Sequence, residues 1–230
     1  MPELLPKLPE VIVSDATTTE MVSRSVKSGK LRKLASRLYT TNLTDAPEAI
    51  VKRNLWQIIG QFVPEALIAD RTALELKPAP DGSIFIISDR KRDIELPGIT
   101  IRSRKGIAPL PDDKPFMDGL RLCSQARAYL ENMRISRPRE GSAPRTLSRQ
   151  EIEEKLDVIL RRSGDAAIKQ LRDDARKLSR TLELEKEFKQ LDDLIGTLLG
   201  TRDEPVVSKT GIARKKGEPY DPDRLQLFEV

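Results

Sequence analysis

Residues 17–39 read TTTEMVSRSVKSGKLRKLASRLY, and this stretch decides how the chain begins to fold. Thr17, Thr18 and Thr19 are side chains that cap a helix. Glu20 places an acid in the first turn, where the positive end of the helix dipole favours it. Met21, Val22 and Val26 mark a side to be buried, which leaves Ser23, Arg24 and Lys27 facing out. Gly29 is positioned to end the helix in a left-handed conformation. Leu31–Leu34 and Arg37–Tyr39 follow as two short extended pieces around Ala35-Ser36. Helix, glycine and basic hairpin form the outline of a winged helix-turn-helix, with a helix for the major groove and a wing for the backbone.

The charge in this stretch is one-sided. Arg24, Lys27, Lys30, Arg32, Lys33 and Arg37 lie between Met21 and Arg37 with no acid among them. The plain alternative is a solvated basic face, but such a run on a helix followed by a hairpin favours double-stranded DNA. Arg24 and Lys27, with Ser23 beside them, are then expected at bases or phosphates. Lys30, Arg32, Lys33 and Arg37 are expected to neutralise the backbone. A second basic group, Arg90, Lys91, Arg92, Arg102, Arg104 and Lys105, is diluted by Asp93 and Glu95.

Composition narrows the chemistry. Of 230 residues, 38% are hydrophobic and 4% aromatic against 33% charged, a balance that suits a helical, solvent-laced protein. There is no histidine, so the commonest general base near neutral pH is missing. One cysteine, Cys123, permits neither an intrachain disulfide nor a cysteine cluster, and it falls in an apolar-periodic stretch that suits a buried, inert thiol. Asp70 with Glu75-Leu76-Lys77 has the spacing of a metal-dependent nuclease. Those acids fall on a short helix, however, not on adjacent strand positions. The acid pairs Asp112-Asp113, Asp173-Asp174 and Asp192-Asp193 read as a loop turn and two solvated helix faces. No catalytic constellation, metal site or cofactor loop is expected. Met1–Glu10 is broken by prolines and is no leader, and no apolar run approaches membrane-spanning length, so the expected location is cytoplasmic. The net charge of +5 is modest, and its placement matters more than its sum.

Further along, Asp45, Pro47 and Glu48 suggest a capping box opening a helix with Ile50, Val51, Leu55, Ile58 and Ile59 as its apolar stripe. Ala66-Leu67-Ile68 reads as a buried strand, and Asp70 as the cap of a brief helix through Leu76. Ser83–Ser88, Asp93–Leu96 and Ile99–Arg102 read as strands, the last two joined by a Pro97-Gly98 turn. A helix is expected from about Phe116 to Met133. A proline- and serine-rich linker follows. Ser148 and Glu151 form a second capping box, Ser163-Gly164-Asp165 a turn, and Ile168, Leu171, Ala175, Leu178 and Leu182 a coiled-coil-like seam. That seam resumes at Phe188, Leu191, Ile195 and Leu198 after a phase slip near Glu183–Glu187, which implies overwinding or a change of packing partner. A helical hairpin results, available for self-association or a protein partner. Asp221-Pro222 starts another helix with Leu225, Leu227, Phe228 and Val230 apolar, as in a chain that continues.

The run Ser25–Tyr39 (SVKSGKLRKLASRLY) resembles the glycine, basic-leucine and tyrosine wing of abortive-infection type IV antitoxins, the AbiEi-like family. Pro47-Glu48-Ala49-Ile50 leading into the Trp56 helix, then Pro64–Leu76 and the strands to Ile101, extend the resemblance over roughly residues 15–135. It implies a winged helix that binds the operon's own promoter, and an antitoxin that counters a nucleotidyltransferase-type toxin by repression. Only Met1–Ala16 precede the recognition helix, and prolines break them, so a full first helix is not expected there. Lys216-Gly217-Glu218-Pro219-Tyr220-Asp221-Pro222 is similar to the region before the catalytic core of some bacterial Fic-family proteins. That implies an alternative, a non-catalytic regulatory N-terminal interaction region of a Fic-family AMP-transferase. Fic chemistry needs a histidine-containing loop, which this chain lacks. Ser136–Gly141 has the spacing of the Fic inhibitory motif, but Pro138 opposes the helix that motif requires.

The expected fold class is α+β. Residues 1–45 form a winged-helix-like DNA-binding segment, 46–135 an antitoxin-like α/β domain and 136–147 a linker. Residues 148–200 form a helical hairpin, and 201–230 a further linker and helix start.

Overall fold

The computed structural model describes residues 8–138 and 140–203, and the chain is α+β. The expected helix at Asp221 and the apolar end lie outside the described residues. Strands β1 (Val11–Val13), β2 (Arg32–Ala35) and β3 (Leu38–Thr40) form an antiparallel sheet with β3 in the middle, and helix α1 (Thr19–Lys27) comes between β1 and β2. Glycine follows the helix and a basic hairpin follows the glycine, in the expected order. Strand β1 was not expected. Val11-Ile12-Val13 is a β-branched run that pairs from Val11 opposite Thr40 to Val13 opposite Leu38.

The second sheet runs β6-β7-β5-β4-β9-β8. Its strands are β4 (Leu67–Ile68), β5 (Ser83–Ile87), β6 (Ile94–Leu96), β7 (Ile99–Arg104), β8 (Lys114–Pro115) and β9 (Arg121–Leu122). β5 and β7 are parallel, from Ser83 opposite Thr100 to Ile87 opposite Arg104. Every residue of β5 is buried, which marks a strand covered on both faces. Ile84 and Ile86 pack on one side against α2 (Pro47–Arg53) and α3 (Leu55–Phe62). Ile87 packs on the other with Ala69, Cys123 and Ala128. Each such side chain contributes roughly 1.5–3 kcal/mol by burial. Gly98, at φ 71°, makes the turn between β6 and β7.

The apolar stripe from Ile50 to Ile59 is buried as the spacing predicts. Its capping is different. Ala46 is the N-cap and no side chain caps it, so the Asp45/Glu48 box is not formed. Asp45 instead accepts from Asn42 and lies 2.7 Å from Arg53. The helix is also interrupted at Asn54, whose amide donates to the Ile50 carbonyl and to Glu10. In the brief helix α4 (Asp70–Glu75), the cap is the backbone of Ala69, and Asp70 is the first helical residue.

The helix expected over 116–133 starts later, as α5 (Gln125–Asn132), capped by the Ser124 side chain. Asp118 and Gly119 take left-handed φ values of 53° and 76°, which interrupt a regular α-helix, and the chain makes a single 3-10 turn at Met117–Gly119 between β8 and β9. That turn crosses α3 so closely that a Cβ on Gly60 would overlap the Asp118 carbonyl oxygen.

The capping box of Ser148 and Glu151 opens helix α6 (Arg149–Thr181), which bends at Gly164 (φ 75°, ψ −179°). Helix α7 (Glu185–Asp203) follows a break where the apolar pattern slips phase. Glu183 is left-handed there (φ 55°), and the Leu184 amide reaches back to the Ser179 carbonyl. Ile168, Leu171 and Ala175 are buried against Leu191, Leu194 and Ile195 of α7, against Ala126 and Tyr129 of α5, and against Met133 just after it. The coiled-coil-like seam is therefore covered within the chain.

Charged side chains stitch the layers together. Arg145, Asp70, Arg104, Glu131, Arg127 and Asp113 alternate in sign along one connected series. Its links are 3.4 Å (Arg145–Asp70), 2.8 Å (Asp70–Arg104), 2.8 Å (Arg104–Glu131), 2.9 Å (Glu131–Arg127) and 2.6 Å (Arg127–Asp113). Val11 and Leu38 lie in the same apolar cluster as α2, α3 and the larger sheet, so the N-terminal sheet adds to that core.

Candidate nucleic-acid interface

The basic helix is tied down at its start by Asp15, and not by the three threonines alone. One Asp15 carboxylate oxygen accepts from the amides of Thr17 and Thr18 and from both hydroxyls. Those bonds, the Thr17 hydroxyl's first, hold the Asp15 carboxyl down at about 2. Gly29, at φ 71°, ends the helix as expected, with the Lys30 amide returning to the Ser25 carbonyl.

α1 buries a single side chain, Val22, against Ile12, Leu31 and the half-buried Tyr39. Met21 and Val26, expected inside, are each 37% exposed. The reason is geometric: the helix meets the small sheet through Val22, the one residue of α1 that is buried. Its outer surface is uncovered.

Ser23, Arg24, Lys27 and Lys30 are exposed on α1 and just after it, and Lys33 is exposed on β2. Arg24 is paired with Glu20 at 3.2 Å, but both side chains are mostly in solvent, at 73% and 85% exposure. A pair that open is worth at most about 1 kcal/mol and gives way easily to a phosphate. Lys27, Lys30 and Lys33 have no carboxylate partner among the described residues.

Arg32 and Arg37 are placed differently. Arg32 is half-buried and donates to the Asp45 carbonyl. Arg37, left-handed at φ 63° in the hairpin turn, donates to the Ser14 carbonyl at 2.8 Å and lies 5.6 Å from the Phe62 ring centre. Both position the hairpin. Glu10 does the same for β1: Arg53, then Asn54 and Asn42, hold its carboxyl near 2 and join the small sheet to the α2–α3 junction.

In the second basic group, Arg90, Lys91, Arg92 and Lys105 are exposed. Arg102 and Arg104 turn inward, to Ser83 and Asp93 and to Asp70 and Glu131. The interior role of these arginines carries no local signal, because their partners lie up to 40 residues away. Glu75 pairs with Arg71 at 2.8 Å and Asp70 with Arg104, so the nuclease-like spacing does not assemble. Among the described residues no group of three or more potential metal ligands converges, and no helix is long and apolar enough to cross a membrane. Burial pushes the Cys123 thiol well above its usual range.

Comparison with known proteins finds no matching protein family, curated protein or solved structure.

Proposed function

We propose that the chain is a DNA-binding, antitoxin-like transcriptional regulator whose helix α1 and β2–β3 hairpin act as the recognition helix and wing of a pared-down winged helix. The observation that carries this reading is the exposed outer face of α1 with Lys27, Lys30 and Lys33 beside it, which have no carboxylate partner among the described residues. An α-helix with its side chains is about 10–12 Å across, which fits a major groove about 12 Å wide, and the nine residues of α1 give it between two and three turns to lay there. Arg24 and Lys27 enter the groove, and Lys30 and Lys33 meet phosphates. No residue of the chain is assigned a catalytic role, and no cofactor is needed.

The test is a salt titration of binding to the DNA upstream of the gene. Two phosphate contacts, from Lys30 and Lys33, give a slope of log K against log salt of about −1.8. Replacing Arg24, Lys27 and Lys33 by alanine should abolish tight binding. A weak, salt-independent interaction in the unaltered chain would refute the regulator.

A second reading, a non-catalytic regulatory interaction region of a Fic-family AMP-transferase, is favoured by a different feature. A groove of about 1340 Å³ runs between α4, α5 and α6, with Val158 45% exposed along it. Under that reading the protein contact falls on the helices of 148–200, and the chain shows no DNA binding in the same titration.

A further inference from the structure

A cavity of about 330 Å³ opens beside the carboxyl end of β7, between that strand and residues 135–138 and 142–145. Among the described residues its wall holds four arginines, Arg102, Arg104, Arg137 and Arg145, and one acid, Asp93. Two of the arginines are committed to the protein. Arg102 donates to Ser83, Asp93 and Ser142, and Arg104 to Asp70 and Glu131. Asp70 and Glu131 are nearly inaccessible and do not line the cavity.

The other two arginines are not fully used. Arg145 approaches Asp70 through Nε, at 3.4 Å, and that buried Nε makes no hydrogen bond. Its terminal nitrogens, and the whole guanidinium of the exposed Arg137, have no acceptor among the described residues. Beside them stands Ile135, 95% exposed, the most exposed large apolar side chain among the described residues.

Planar guanidiniums with open donors on one concave wall suit a phosphate, which accepts two parallel hydrogen bonds from each fork. The cavity is at the small end of the range for organic ligands. It accommodates a phosphate and the group next to it, and leaves the remainder over Ile135. We propose that this cavity binds a phosphate ester of mononucleotide size, with the phosphate held by Arg137 and Arg145 and the organic portion covering Ile135. The site does not rest on the DNA-binding reading, because α1 contributes nothing to its wall.

Equilibrium dialysis of the full chain against labelled AMP, with inorganic phosphate as a second probe, tests the site. AMP should bind, at least tenfold more tightly than inorganic phosphate. Arg137→Ala should weaken AMP at least tenfold with an unchanged melting temperature, because this side chain is exposed and has no partner among the described residues. Arg145→Lys keeps a cation near Asp70 but removes the fork, and should weaken AMP similarly with an unchanged melting temperature. Ile135→Ser should bring AMP down toward inorganic phosphate. Absent AMP binding, or Arg137→Ala binding as the unaltered chain does, overturns the site. Equal affinity for AMP and inorganic phosphate overturns the ester assignment. The salt titration with DNA, run on Arg137→Ala, should be unchanged, so the two proposals fail separately.

Discussion

Arg127 and Asp113 form an ion pair at 2.6 Å in which neither side chain is exposed to solvent at all. Asp113 also accepts from the amides of Leu110 and Ser124, and Arg127 donates to the carbonyls of Ile107 and Ala108. The pair thereby fixes the loop before β8 to the start of α5. Removing one partner leaves the other charge buried and unanswered. Arg127→Met is expected to cost about 3–5 kcal/mol, read from the midpoint of urea unfolding. A loss below 1 kcal/mol would show that the interior is wetter than the geometry implies.

Gly60 is the tightest point between α3 and the 3-10 turn at Asp118. A methyl group there meets backbone that cannot swing aside. Gly60→Ala should therefore destabilise by about 1–3 kcal/mol, although alanine is the better helix former. Thermal melts of the two chains decide it, and a more stable variant would contradict the close crossing.

The carboxyls of Glu10 and Asp15 are both held near 2, by Arg53 and Asn54 in one case and by Thr17 and Thr18 in the other. Both values lie below those of the unfolded chain, roughly 4. Their contribution is thus complete above about pH 4 and is lost as the pH falls through about 2. Amide exchange in residues 11–40, followed by mass spectrometry, should quicken over that window ahead of exchange in β5. Glu10→Gln and Asp15→Asn should remove most of the pH dependence.

Arg37 and Lys33 lie on one hairpin and should behave oppositely. Lys33→Ala should reduce the salt slope of DNA binding by about one unit and leave the melting temperature alone. Arg37→Ala gives up the bond to Ser14 and the cover over Phe62, and should cost about 1 kcal/mol of stability with the slope unchanged. Fluorescence anisotropy at several salt concentrations, with a melt of each variant, separates the two roles.

Much of this fold is legible in local pattern. The stripe from Ile50 to Ile59, the turn at Pro97-Gly98, the Ser148/Glu151 box and the phase slip near Glu183 each carry their own signal, and each lies where that signal puts it. The misreadings share a cause. Leu120, Cys123, Ala126 and Leu130 look helical in spacing, but Asp118 and Gly119 are left-handed because the chain must turn across Gly60. Asp45 looks like a cap, but Arg53 and Asn42 are better partners for its carboxylate. Tertiary partners outweighed local preference in both. At the candidate interface, spacing gave the outward cations, while Arg32 and Arg37 look the same in sequence as Lys30 and Lys33. Only the carbonyls of Asp45 and Ser14 distinguish them.

Helix α5 belongs to two interiors at once: Ala128 closes the underside of the larger sheet, while Ala126, Tyr129 and, just after the helix, Met133 meet α6 and α7. It is a party wall. Severing the chain in the proline-rich stretch after it would not yield two self-sufficient halves. The front piece would keep the wall with one side stripped bare, and the rear piece would be a helical bundle missing a stave. Expression of either part alone should give sticky, poorly ordered material, and mixing them should restore both.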